Sequence, residues 1–85
     1  MKKLIKLFEI LNENEIIKLI EINENKIIYI DNLNNKLTYI FDNNNNNVNI
    51  YNNENKLIDN YEINELYEIE LTIYDYDLYI KNIIL

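Results

Sequence analysis

Nine amino acids never occur in this chain: Ala, Cys, Gly, His, Pro, Gln, Arg, Ser and Trp. Each absence closes a line of chemistry. Without Cys there is neither a disulfide nor a thiolate metal site, which fits a reducing, intracellular setting. Without His, Ser and Cys there is no imidazole base and no serine or thiol nucleophile. Without Gly no loop can bring its backbone close around a phosphate, and without Arg no guanidinium can clamp a carboxylate or phosphate in two places. No apolar run approaches the roughly 18 residues of a membrane-spanning helix. Met1-Lys2-Lys3 before Leu4 to Leu11 has the faint outline of a signal peptide, but Lys6 and Glu9 interrupt it and no small-residue cleavage site follows. The expectation is a soluble, cytoplasmic, single domain over residues 1–85.

What is present is mostly Asn, Ile, Leu, Glu, Tyr and Lys, residues readable from A/T-rich codons. Apolar residues make up 48 % of the 85, too many for a disordered chain. A domain of this size hides only about 60–65 % of its unfolded surface and is marginal in stability.

The net charge of −7 is unevenly placed. Residues 1–36 balance six lysines against six acids. Residues 37–85 set only Lys56 and Lys81 against nine acids, and between those two lysines lie seven acids and no base. Solubility alone accounts for such a surface. The sharper alternative is a carboxylate surface that imitates nucleic acid, or otherwise docks on a basic partner with steered association.

A ten-residue beat runs through the middle of the chain. Asn25-Lys26-Ile27-Ile28-Tyr29-Ile30 is echoed by Asn35-Lys36-Leu37-Thr38-Tyr39-Ile40; Asn55-Lys56-Leu57-Ile58 keeps the phase and Asn45 to Ile50 is a degenerate copy. Five or six residues of strand plus a turn give that period. The asparagine clusters at 12–15, 23–25, 32–35, 43–47 and 52–55 mark the turns, because Asn is the least costly substitute for Gly at positive φ.

Strands are expected near 3–11, 16–22, 26–31, 36–42, 48–52, 56–60, 66–74 and 77–84, the last two as a hairpin turning at Asp75-Tyr76-Asp77. The alternation of Tyr67, Ile69, Leu71 and Ile73 against Glu68, Glu70, Thr72 and Tyr74 supports that hairpin. Two segments also fit a helix, the first as well as it fits a strand and the second less well than the hairpin. Leu4, Leu7, Phe8 and Leu11 form an i, i+3, i+4, i+7 stripe, and Ile63, Leu66, Tyr67 and Leu71 nearly repeat it after Asn60 as a candidate cap. The expected fold class is mainly β, or α+β if a terminal helix forms: a small antiparallel meander, barrel-like or curved.

Catalysis would have to use carboxylates, lysine, tyrosine or asparagine; a carboxylate pair is the familiar option, and pairs such as Glu68 with Glu70 arise by chance in so acidic a chain. Calcium ligands abound at Glu54, Asp59, Asp75 and Asp77, but no EF-hand spacing or glycine accompanies them. The chain is therefore expected to be non-enzymatic, without cofactor or metal. Asn43 to Asn47 reads as a lengthened hairpin loop rather than a fibril ladder.

Tyrosines cluster among the acids of the C-terminal part, and exposed tyrosine beside carboxylate suits a protein interface. The candidate partner-binding residues are Glu62, Glu65, Glu68, Glu70, Tyr74, Asp75, Tyr76 and Asp77. Direct nucleic-acid binding is disfavoured by the negative charge. The resulting expectation is a small acidic inhibitor docking on a basic, nucleic-acid-binding surface of a larger protein, of the kind phages or mobile elements use against host defence, as anti-CRISPR proteins do. The alternatives are an antitoxin neutralising a basic toxin, which shares the mechanism, and a self-assembling homo-oligomer, since Ile16, Ile20 and Ile22 against Ile17 and Leu19, and residues 83–85, put apolar groups on both faces of a strand.

Overall fold

A computed structural model describes the backbone of residues 2–84 and the side chains of residues 2–77. Helix α1 (Lys2–Glu13) is followed by five strands, β1 (Lys18–Ile22), β2 (Lys26–Ile30), β3 (Lys36–Asp42), β4 (Asn47–Tyr51) and β5 (Leu57–Glu62), and then by helix α2 (Ile63–Ile84). The strands form one antiparallel meander in the order β1-β2-β3-β4-β5. The sheet stays open rather than closing into a barrel, and both helices cover the same face.

The 3–11 segment is helix, as its stripe allows: Leu4, Leu7, Phe8 and Leu11 are all buried. Its end is built without glycine. The Ile16 amide reaches the Leu11 carbonyl (3.0 Å) and the Glu15 amide that of Asn12 (3.1 Å), with Glu15 at φ 59°. That is a Schellman closure with Glu at the left-handed position glycine normally takes.

The hairpin turns repay the asparagine excess. Asp31 Oδ1 accepts from the amides of Leu33 and Asn35, with Asn34 at φ 67°. Asn52 Oδ1 accepts from the amides of Glu54 and Lys56, with Asn55 at φ 60°. The β2–β3 and β4–β5 turns are thus the same device, an Asx acceptor followed three residues later by Asn in the left-handed region. The Asn43–Asn47 run makes the β3–β4 turn, with Asn46 at φ 52° and Asp42 accepting from both amide groups of Asn45. These bonds, the side-chain one first, hold the Asp42 carboxyl below its ordinary range.

Register follows the two-residue period. Ile27, Tyr29, Tyr39, Phe41, Val48 and Ile50 point to the helices and are buried. Edge strands β1 and β5 each carry an irregularity, between Leu19 and Glu21 and opposite Ile50 and Tyr51. Such bulges blunt edges that would otherwise pair with another chain.

The C-terminal hairpin expected over 66–74 and 77–84 is absent: that stretch is one helix of 22 residues. Asn60 does not cap it but lies in β5, donating to Asn49 Oδ1. The helix starts at Ile63, whose amide bonds the Asn46 carbonyl at 3.0 Å. Two patterns competed, and packing decided between them. As a helix, residues 63, 66, 67, 70, 71 and 74 form one stripe that covers the apolar face of the sheet; as strands they would have left that face in water. Ile63 and Leu66 are buried, and Tyr67, Leu71 and Tyr74 pack against the core. Residues 83–85, which supplied part of the two-faced apolar pattern, lie outside the described side chains. No helix among the described residues is long and apolar enough to cross a membrane.

Candidate interaction surface and buried acid

Helix α2 carries five of the seven acids between Lys56 and Lys81, and a helix sorts them by 100° steps. Glu65, Glu68 and Asp75 are exposed on the outward side, together with Thr72 and Tyr76, the latter 64 % exposed. Glu65 and Asp75 lie about 15 Å apart along the axis at 1.5 Å per residue. Among the described residues none of these three carboxylates has an ion-pair partner. The outward stripe is not wholly acidic at its beginning, where Lys2 and Lys3 of α1 border the same hollow as Glu68, Asn64 and Tyr67.

Glu70 and Asp77 fall on the opposite side, one above the other at a seven-residue spacing, and are half-buried. Strand periodicity puts Glu68 and Glu70 on one face; the helix turns them 200° apart. The expected group of eight is thereby divided. Glu65, Glu68, Asp75 and Tyr76 share the outward stripe. Glu70 and Asp77 face the core, Tyr74 packs against it, and Glu62 is exposed at the end of β5, where Asn46 Nδ2 donates to its carboxylate at 3.3 Å.

The inward side holds a feature that composition does not announce. Tyr39 Oη donates to Glu70 Oε1 at 2.7 Å, and the Tyr29 and Tyr39 hydroxyls share a hydrogen bond at 2.8 Å. The two rings and Phe8 form a mutual cluster with centroids 5.2–5.5 Å apart. Burial raises the Glu70 carboxyl above its ordinary value, and the bond from Tyr39 opposes that rise in part. Burial likewise pushes both tyrosine hydroxyls up, with the neighbouring Glu70 charge adding to it, so both remain neutral donors at physiological pH. Beside this chain lies a cleft of about 300 Å³, walled by Leu11, Ile17, Leu37 and Ile73 and edged by Asp31 and Asp77.

The sequence did hold a signal for the tyrosine pair. Tyr29 and Tyr39 occupy the same phase of the ten-residue beat, hence the same face of adjacent strands. Cα pairing sets Tyr29 opposite Leu37 and Ile27 opposite Tyr39, so the two tyrosines meet on the diagonal. Nothing local pointed to Glu70, which comes from 31 residues further along. Among the described residues no cluster of three or more ligating side chains could hold a metal ion. No protein-family model matches the chain, no curated protein matches it in sequence, and no solved structure matches its fold.

Proposed function

We propose that this chain is a small, non-enzymatic binding protein whose acidic outward side of α2 docks on a basic surface of a larger protein. The observation that carries the reading is the convergence of Glu65, Glu68 and Asp75 on one exposed stripe with Tyr76, all without internal ion partners among the described residues. Carboxylates with no internal partner remain free to pair across an interface and to steer association. An exposed tyrosine among them supplies the aromatic contact area on which interfaces rely. A basic surface that normally holds nucleic acid meets both requirements, and blocking it would make the chain an inhibitor of the anti-defence or antitoxin kind.

The test uses tagged chain to retain partners from host-cell lysate, with elution along a salt gradient and competition by nucleic acid. The expected result is a basic protein released at moderate salt and displaced by nucleic acid. It should be lost when Glu65, Glu68 and Asp75 become Gln, Gln and Asn, and kept when inward Glu70 becomes Gln. Equal retention by the triple variant overturns the reading.

A further inference from the structure

The helices cover one face of the sheet and leave the other bare. Cross-strand pairing orders that bare face into rows. At one end Lys18, Ile30 and Lys36 stand side by side across β1, β2 and β3. At the opposite end Asp42, Asn47 and Glu62 stand across β3, β4 and β5. Between them lie Ile28, Ile40, Tyr51 and Leu57, of which Ile40 is 37 % and Leu57 51 % exposed. Along β3 the face is thus basic at one end and acidic at the other, with Glu21 beside Ile28 and Lys26 beside Ile40 adding one charge of each sign to a partly apolar middle.

We infer that this bare sheet face binds a second copy of the same chain, stacked face to face about a two-fold axis at right angles to the strands. An isologous pair brings each patch onto itself. With the axis across the strands, the central strand β3 lies over its own reversed copy. Lys36 then faces the partner copy's Asp42 at both ends of the strand, and Thr38 faces Ile40 in the middle. With the axis along the strands, Lys36 would meet Lys36 and Asp42 would meet Asp42. The charge pattern therefore selects one of the two stackings and repels the other. Stacked sheets tolerate this arrangement at a crossing of about 30° and a separation of about 10 Å.

Size sets the strength. Five strands at about 4.8 Å and a strand length of about 20 Å present about 500 Å² per copy. A pair buries about 1,000 Å², at the lower bound of specific interfaces, so the dimer is expected to be weak and concentration-dependent. It leaves the outward side of α2 free, because that helix packs on the opposite face of the sheet. Dimerisation and docking through α2 therefore stand or fall separately.

Sedimentation velocity from 1 to 500 µM tests the inference, with circular dichroism confirming the fold of each variant. The native chain is expected to shift from monomer to dimer across that range. Lys36→Glu should raise the dissociation constant about tenfold, and Ile40→Lys should raise it by at least as much. Lys36→Glu lies at an exposed position and keeps the test decisive even if Ile40→Lys fails to fold. A native chain that stays monomeric at 500 µM overturns the inference. So does a dimer that neither substitution weakens, since its interface would lie elsewhere.

Discussion

The two sides of α2 carry the same kind of residue in opposite physical states. Glu68 stands in solvent, where a carboxylate is fully hydrated and its removal alters charge but little packing. Glu70, two residues on, sits half-buried against Tyr39 and Phe8's aromatic cluster, where its charge is penalised and its one strong bond is to a neutral phenol. A carboxylate's role here follows from its angle about the helix axis, and the acidity of the whole segment says nothing about it. The outward acids are available to a partner. The inward acid is part of how the helix is seated.

Substitutions on the two sides should therefore differ in size and in kind. Leu66→Ala removes a fully buried contact between α2 and the core, and should lower the unfolding free energy by about 2–5 kcal/mol in chemical denaturation. A smaller effect would mean that α2 packs loosely and that the contrast between its sides is weak. Tyr39→Phe leaves Tyr29 and Glu70 without their shared partner and should cost about 1–3 kcal/mol.

Glu70→Gln sharpens the comparison through pH. The folded value of Glu70 lies above its unfolded one. Its favourable contribution is complete below the unfolded range, and it is lost as pH rises through the folded value. The glutamine variant keeps an acceptor for Tyr39 and cannot ionise. It should match the parent in thermal stability at pH 4 and exceed it at pH 8. A parallel pH dependence in both proteins would show that Glu70 is solvated after all. The triple amide variant at Glu65, Glu68 and Asp75 should change stability by less than about 0.5 kcal/mol while altering partner retention. If it unfolds instead, the outward stripe is structural.

How much of this was legible differs along the chain. The meander was written in the ten-residue beat, and the strands at 26–31, 36–42, 48–52 and 56–60 appear within a residue or two at each end. The asparagine turns were legible for a conformational reason: among the described residues, three of the four at positive φ are Asn34, Asn46 and Asn55. The fourth, Glu15, lies in the turn cluster at 12–15, although nothing marked a glutamate for that conformation. The C-terminal segment was illegible in kind. Tyr67, Ile69, Leu71 and Ile73 alternate like a strand, while Ile63, Leu66, Tyr67 and Leu71 step like a helix. Between 65 and 81 the turn candidate is Asp75-Tyr76-Asp77, with no glycine or asparagine to fix it, so the sequence does not break the tie.

By itself the sequence determined the turns, the strand spacing and the excess of acid after Lys56, because these depend on local backbone preference and on counting charges. Tertiary structure decided the form of residues 63–84, since only the apolar face of an assembled sheet gives the helical stripe something to cover. The same decision separated Glu68 from Glu70 and brought Glu70 to Tyr39 across 31 positions of sequence. Contacts of that range exist only once the chain has closed on itself, and no local propensity records them.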